Sequence, residues 1–359
     1  MRLSSICSEA WRNLTCGTAK LALMVVITAV LGLLMGGYEA ATISTLQNQA
    51  RTRVQAHADV KMLLGEHVDG VTCERLTQAS GGPSSSGAFR KGPQITPLAT
   101  PGMDLASFQI TSGLLSILST DPSVKVDPSG TWVSSDLARD FGLNVGSVLP
   151  TDHGDAHIAG IFDWPNDGRD TRLAYALVTP VAASDGSFQE CWAQQWPLSP
   201  DLDALMKVAQ PVGGADSKGA ATTLLNKGFD SHYDGLASYR ARLTRWMPYL
   251  AVVVGIFMGV WSVIRRRLEY AGALHSGQDK GSQLLTVALE TVIWLLLGTA
   301  AAVGGLVALV YLTAPADQEL IVLTALRSPV GLLAGTLIGA LGAALSIRQS
   351  QLFRYFKNR

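Results

Sequence analysis

Two stretches of the sequence carry residues whose types and spacing could do chemistry. The first is Asp152-His153-Gly154-Asp155-Ala156-His157, where carboxylates and imidazoles alternate with small residues. Both kinds of side chain bind divalent metals in proteins. The same stretch falls between two predicted strands, where Asp-His-Gly is typical of a hairpin turn. We therefore predict a turn here, with metal binding as the alternative.

The second stretch holds Glu290, a carboxylate inside a long apolar run. An ionisable residue inside a membrane-length segment is costly to bury and often marks a functional position. Glu290 lies only about one turn inside its run, so its side chain could also reach the polar interface. We expect a polar contact with a neighbouring helix, and a proton relay is the alternative.

Other chemical signatures are absent from the sequence. It contains no Gly-x-x-x-x-Gly-Lys-[Ser/Thr] loop for ATP phosphates, no Gly-x-Ser-x-Gly elbow and no His-Glu-x-x-His pair. The 28 basic residues balance the 28 acidic ones, so no global basic field favours nucleic acid. We expect a chain that is not an enzyme, binds no cofactor or metal of its own and has no nucleic-acid partner.

Apolar residues are concentrated in four runs, which must position these groups. Of the 359 residues 48% are hydrophobic and only 16% are charged. A bilayer core of about 30 Å needs about 20 apolar residues per helix, which predicts four transmembrane helices and lipid contact. A cleaved signal peptide is the alternative for the first run, but its apolar core would span only about 7–15 residues. The predicted helices are 19–41, 246–264, 283–312 and 329–346.

Small residues form two stripes at i+4 spacing within these runs. Such stripes allow another helix to approach closely. The first stripe lies in the first helix and the second in the fourth, and they comprise Thr28, Gly32, Gly36, Ala40 and Gly331, Gly335, Gly339, Ala343.

The polar middle, 42–245, is long enough for a core of its own. Strands are predicted near 60–64, 105–110, 131–133, 157–162 and 173–178, and a capped helix at 134–142. Ser80–Gly87 is rich in Ser and Gly and is predicted to be a flexible loop. The expected fold class is therefore membrane α-helical with a large α+β domain between helices 1 and 2.

The end of this domain, 216–246, shows a heptad-like spacing that predicts a helical stalk. Residues 42–58 likewise continue a helical face out of the first run, so both flanking helices are expected to extend as stalks. A single amphipathic helix packed on its own domain is the alternative for 216–246. The residues that follow this spacing are Leu225, Phe229, His232, Leu236, Tyr239, Leu243 and Trp246.

Charge sorting predicts the topology. Arginines 265–267 open the short polar loop 265–282, and Arg348 and Arg354 lie in the tail 347–359, whereas the loop 313–328 carries Arg327 alone. By the positive-inside rule the segment 1–18, the loop 265–282 and the tail are cytoplasmic, and 42–245 and 313–328 are outside. The patterned loop 265–282 is expected to dock a cytoplasmic partner.

Four cysteines occur, two of them in the predicted outer domain. Cys7 and Cys16 precede the first helix, and Cys73 and Cys191 lie in the domain. If the domain is extracytoplasmic, Cys73 and Cys191 either form a disulfide or remain two free thiols.

The order of predicted elements resembles that of the permease subunits of MacB/FtsX-type ABC transporters. In both, one span is followed by a large outer domain and three further spans. Individual residues match the family's loop and third-span pattern: Arg266, Arg267, Glu269, Gly277, Glu290 and Gly298. The segment Glu9–Leu14 looks like the family's N-terminal amphipathic segment. Trp132 to Gly142, Gly146 and Ile158 to Ile161 look like its outer-domain core.

The resemblance implies a permease subunit in a bacterial cytoplasmic membrane, paired with an identical or related second permease chain. ATP and Mg would be bound by separate ATPase subunits, whose closure would move the loop, the stalk and the outer domain. The residues expected to couple to the ATPase are Arg266, Arg267, Glu269, Leu274, Gly277 and Gln283.

The substrate is less defined by these patterns. Peptide export or defence against antimicrobial peptides is the first expectation. The alternatives are an FtsX-like regulator of an extracytoplasmic cell-wall hydrolase and a lipoprotein-handling permease. A membrane-anchored sensor without an ATPase is a rival from another class, but it would not need three clustered spans and a patterned loop.

Overall fold

The computed structural model describes residues 3–18, 20–119, 126–210, 221–231, 233–314 and 317–348. The chain divides into two compact units. The helical unit comprises Met1–Asn48 and Leu236–Arg359, and the sheet domain comprises Gln49–Gly235. The helical unit is thus built from both ends of the chain, with the sheet domain inserted in sequence.

Among the described residues, four helices are long and apolar enough to cross a membrane. They are Leu21–Gln55, Gly235–Ile264, Lys280–Thr313 and Gln318–Ser346, the second and fourth counted across short interruptions. At a rise of about 1.5 Å per residue, each exceeds the thickness of a hydrocarbon core. The helices of the helical unit are α1 Leu3–Thr15, α2 Leu21–Gln55, α7 Gly235–Ala241, α8 Met247–Ile264, α9 Arg267–His275, α10 Lys280–Thr313, α11 Gln318–Ala325 and α12 Arg327–Ser346, with α3 to α6 lying in the sheet domain.

The two small-residue stripes lie where helix backbones meet. A Cβ atom on Gly335 would overlap the carbonyl oxygen of Val252, so α12 approaches the backbone of α8 closely. A Cβ atom on Gly32 of α2 would lie 3.0 Å from the Cβ of Ala302 on α10, which is a tight contact but a less severe one. The close approach predicted for both stripes is therefore present, and α8 pairs with α12 as α2 pairs with α10.

Two predicted loops contain helices. The segment 265–282 holds α9, and the segment 313–328 holds α11, which is separated from α12 only by Leu326. The fourth apolar stretch therefore begins about ten residues before its predicted start. Apolar residues of α11, such as Ile321 and Ala325, pack against Leu306 of α10, and this burial accounts for the extra helix.

The sheet domain contains a mixed sheet that has nine strands within the described residues. Their order is β5-β6-β4-β7-β3-β2-β8-β1-β9, and parallel pairs (β3 with β7, β4 with β6) adjoin antiparallel ones. The strands are β1 Val60–Asp69, β2 Ser85–Lys91, β3 Ala106–Thr111, β4 Thr131–Ser134, β5 Val148–Thr151, β6 Gly154–Phe162, β7 Ala176–Val181, β8 Ser187–Gln194 and β9 Ala221–Leu224. Short helices cross its faces: α3 Gly70–Arg75, α4 Ser112–Leu118, α5 Ser135–Phe141 and α6 Leu202–Met206.

The α+β domain predicted from the sequence is confirmed, and its local predictions are confirmed in part. All five predicted strand regions overlap strands, and α5 ends at Gly142 in the left-handed conformation. The prediction of a flexible loop at Ser80–Gly87 was wrong at its end, because Ser85 to Gly87 begin β2. There Gly87 lies against the backbone of Leu114, so its missing side chain serves packing rather than flexibility.

The predicted stalk helix over 216–246 is not continuous. Residues 221–224 form β9, which pairs with β1 at the sheet edge, and Leu225 is fully buried in the domain core. The Asn226 side chain then stabilises a turn by donating to the Ala56 carbonyl and accepting from the Gly228 amide. The heptad-like spacing crosses this strand and turn, and His232 lies outside the described residues.

Within its described residues, the sheet domain has three apolar core clusters, the largest around Trp132, Trp192 and Phe89. The second cluster contains Cys73 of α3 and Cys191 of β8, both fully buried. The structure joins their sulfur atoms in a disulfide, with the Cα atoms 5.9 Å apart. This bridge closes a long loop of the chain across the sheet.

Candidate functional site

A buried ionic network lies at one end of the helical unit. The Arg266 guanidinium donates from Nη1 to Glu290 Oε2 at 2.5 Å and from Nε to Glu269 Oε2 at 2.7 Å. The Tyr270 hydroxyl lies 3.5 Å from the same Glu290 oxygen. Glu290 thus makes the polar contact expected from the sequence, and its main partner is the arginine that precedes α9.

The N-terminal helix α1 completes this network. Ile6, Ala10 and Leu14 are buried at four-residue spacing, so one face of α1 packs on the molecule. Asn13 lies beside this face and donates from Nδ2 to Glu290 Oε1 at 2.7 Å. The other Glu290 oxygen is therefore satisfied by α1, and the carboxylate joins α1, α9 and α10.

The ends of α9 and α10 are set by local signals. Gly277 has φ +98°, and the amides of Gly277 and Gln278 donate to the carbonyls of Leu274 and Ala273. This Schellman arrangement needs a residue that tolerates the left-handed conformation. Asp279 then caps α10 by accepting from the Ser282 amide at 2.9 Å, so the turn between the two helices is short and defined.

A polar notch opens beside the network. It has a volume of about 120 Å³ and lies where α1, α9 and the first turns of α10 meet. A single water needs roughly 10–15 Å³ by a comparable measure, so the notch has room for the end of a side chain. We call this the notch, and its lining residues are Glu9, Asn13, Arg266, Glu269, Tyr270, Ala273, Gln278, Gln283 and Thr286.

The electrostatics of the site follow from burial and the two nearest carboxylates. Burial raises the pKa of the Tyr270 hydroxyl, and the Glu290 carboxylate raises it further. Burial alone would lower the pKa of Arg266, but Tyr270, Glu290 and Glu269 together hold it above its usual value. Tyr270 is therefore neutral and Arg266 charged at every physiological pH, and the network is a fixed ionic element.

The residues predicted to couple to an ATPase are brought together, but they differ in accessibility. Glu269 and Gly277 are exposed, and Leu274 is half-buried against the cluster around Tyr270 and Ala271. Arg266 and Gln283 are buried, and Arg267 is half-buried at the first turn of α9. Only part of the predicted set can therefore touch a partner directly.

Other predicted site residues have positions that packing explains. A Cβ on Gly298 would crowd Thr28 of α2, so this glycine lets α2 and α10 approach. In the segment predicted to be a stalk, Leu236 and Tyr239 are exposed on α7, and Leu243 is exposed beyond it. Phe229 contacts the Arg53 guanidinium. Phe229 precedes α7 and Leu243 follows it, so these four residues do not belong to one continuous helix.

The candidate metal stretch forms the turn of the β5–β6 hairpin, with His153 Nδ1 2.9 Å from Asp152 Oδ1. Within the described ranges, no three His, Cys, Asp or Glu side chains are grouped closely enough to hold a metal ion. The stretch therefore has the turn geometry that the sequence predicts.

Sequence reasoning missed two members of the network, Asn13 and Tyr270. It also missed a second buried pair, in which Glu39 Oε1 of α2 lies 3.8 Å from Arg242 Nη2 and Glu39 Oε2 accepts from Ser328 at 3.4 Å. The available signal for Glu39 was a carboxylate inside an apolar helix, the same signal that singled out Glu290.

Comparison with known proteins identifies no family. No family model matches the sequence, and no curated protein matches it. Among solved structures, the chain is similar to a crystallised domain from Porphyromonas gingivalis whose parent protein is described as a permease. The identity is 13% and the TM-score 0.34, over 52% of this chain and 98% of the other.

Proposed function

We propose that this chain is the membrane-spanning, non-catalytic subunit of a bacterial ABC transporter of the MacB/FtsX type. In this proposal ATP and Mg are bound by a separate ATPase subunit, and a second copy or a related chain completes the permease pair. The order of elements supports it: one apolar helix, an α+β domain and three further apolar helices.

The observation that carries the proposal is the surface around the notch. Three segments line the notch: α1, α9 with the turn that follows it, and the first turns of α10. The end of α12 lies against the start of α10, since Lys280 Nζ donates to the carbonyls of Ala344 and Ile347. The same end of the unit collects Arg12, arginines 265–267 and Arg348. This charge supports an orientation with both termini in the cytoplasm.

A route for force through the chain follows from helix continuity. α2 runs unbroken for 35 residues and reaches the first residues of the sheet domain. α8, by contrast, is preceded by a break at Arg242. We therefore assign transmission of movement to α2 rather than to a stalk over 216–246. Peptide export or defence against antimicrobial peptides remains the proposed task of the outer domain.

The experiment is co-purification from native membranes, followed by an ATPase assay in lipid. A tagged full chain should retain an ATPase subunit, and that ATPase should respond to the presence of the permease. Gly277→Leu should weaken assembly or uncouple hydrolysis, because the new side chain distorts the exposed end of α9. Recovery of no ATPase with the wild-type chain would overturn the proposal and favour a lone membrane-anchored sensor.

A further inference from the structure

The notch has a charge pattern that selects its occupant. Glu9 and Glu269 line it with carboxylates, and the Glu269 side chain is 54% exposed. The one cationic side chain in its lining, Arg266, already pairs with Glu269 and Glu290. Within the described part of the chain, Glu9 has no ion-pair partner. Among the side chains that line the notch, carboxylates therefore outnumber cations.

A second observation points to a ligand independently of this charge. Gln283 is 1% exposed and lines the notch, and its Nε2 has no hydrogen-bond partner within the described residues. Its Oε1 accepts from Lys280 Nζ at 3.2 Å, which fixes which way the amide points. A buried donor without an acceptor is costly, so this amide is placed to receive a carbonyl or similar oxygen.

We propose that the notch receives one basic side chain, lysine or arginine, from the ATPase partner, and that a backbone carbonyl beside it accepts from Gln283. This inference rests on the proposed function. A cation matches the carboxylates of Glu9 and Glu269, whereas an acidic side chain or a lipid phosphate would meet repulsion there. The volume of about 120 Å³ fits the end of one side chain.

The pairing of Arg266 with two carboxylates is consistent with a basic guest. A free guanidinium in this position would repel a basic guest. Paired with Glu290 beneath it and Glu269 beside it, Arg266 instead positions Glu269 at the rim. Arg266 is therefore a positioning residue, and Glu9 and Glu269 are the residues that would contact the guest.

The test uses the full chain in nanodiscs and the purified ATPase subunit identified by co-purification. Glu9→Gln with Glu269→Gln removes both charges and keeps the side-chain shapes. Ala273→Trp fills the notch and changes no charge. Each variant is expected to weaken ATPase binding by about tenfold or more, and the wild-type affinity should fall as salt is added.

Glu319→Gln is the control, because it removes one carboxylate charge from an exposed position of α11 away from the notch. It should bind the ATPase like the wild type. Exposed lysines and arginines of the ATPase should then be replaced one at a time. One replacement should weaken binding to the wild-type chain but not to the Glu9→Gln, Glu269→Gln chain, which would indicate that this residue interacts directly with the two carboxylates.

The outcomes separate the two proposals. If no ATPase is recovered with the wild-type chain, the proposed function fails and the notch loses its assigned guest. If an ATPase binds the wild type and both notch variants equally, the proposed function stands and the basic guest is wrong. Tighter binding by the neutralised variant would show an acidic guest and would also overturn the assignment.

Discussion

Arg266 and Glu290 form a buried ion pair with 2.5 Å between Nη1 and Oε2, and their side chains are only 8% and 5% exposed. Removing one partner from such a pair leaves an uncompensated buried charge. Arg266→Ala or Glu290→Ala should therefore each cost about 3–5 kcal/mol of stability. Thermal unfolding in lipid or detergent measures this loss.

The double variant Arg266→Ala with Glu290→Ala should lose much less than the sum of the single losses, because it leaves no lone charge. The matched control is Arg139→Ala, which breaks the pair with Asp136 on an exposed helix surface. Exposed pairs contribute little, so this control should melt like the wild type. Equal melting of all variants would show that the buried pair carries no stability.

The proposed topology predicts which positions reagents can reach from outside the cell. Cysteine should be placed at Ser184, in the exposed turn between β7 and β8, and at Ser276, at the exposed end of α9. A membrane-impermeant maleimide applied to intact cells should modify the first and spare the second until the cells are opened. The cysteines are introduced into a chain with Cys7→Ser and Cys16→Ser, so that no other exposed free thiol of the described residues reacts. Labelling of Ser276→Cys but not of Ser184→Cys in intact cells would contradict the proposed topology.

The pairing of Cys73 with Cys191 predicts covalent linkage across the sheet domain. After proteolysis between them, the fragments should stay joined on a non-reducing gel and separate when reduced. Loss of the bridge by Cys73→Ala with Cys191→Ala should cost about 2–5 kcal/mol, as for other long closed loops. Cys7 and Cys16 are exposed and unbridged, so replacing them with serine should change neither result. Two titratable thiols on the intact domain would contradict the bridge.

His57 predicts a pH dependence of the sheet domain's stability. Its ring is buried against Trp164, and burial together with nearby Arg169 lowers its pKa to about 4. The unfolded chain takes up this proton near pH 6.5, whereas the folded chain does so only near pH 4. Stability should therefore fall as pH drops from 6.5 to 4, by about 3 kcal/mol.

Chemical denaturation of the full chain at several pH values measures this slope. His57→Gln should remove its share of the pH dependence, whatever its effect on absolute stability. A wild-type slope retained by His57→Gln would assign the effect to another group.

The contact between α8 and α12 predicts a sharp difference between glycines of one helix. Gly335→Leu would drive a side chain into the backbone of α8 at Val252, and it should destabilise the chain by about 1–3 kcal/mol or more. Gly342 lies on the same helix with open space before it. Gly342→Leu should therefore be tolerated, and detergent melting curves of the two variants test the contact. Equal melting would argue against close packing.

The parts of the fold that local sequence determines were predicted well. Apolar run length located the four long helices, and small residues at i+4 spacing located their contacts. The prediction of a helical stalk was wrong because residues with a heptad-like spacing can also come from a strand end, a turn and a short helix. The local sequence around Leu225 is compatible with both a helix and a strand end. Its contact with Val60, far earlier in the chain, distinguishes the two and cannot be read from local spacing.

The site was predicted as a stretch but not as a network. Charge and glycine placement singled out 265–282, and Gly277 has a local role in ending α9. The partners of Glu290 come from 20, 24 and 277 positions away. No spacing rule connects such distant residues, because tertiary packing alone brings them together.

The hydrogen bond from Asn13 to Glu290 has a consequence for biogenesis. The two residues are 277 positions apart, so the ribosome must add everything between them before the bond can form. At about 5–20 residues per second, this takes roughly 15–55 s. Throughout that interval α1 has its apolar face uncovered, because it is made long before α10. A newly made chain thus carries a temporary amphipathic surface, available to the bilayer or to a chaperone, until α10 emerges.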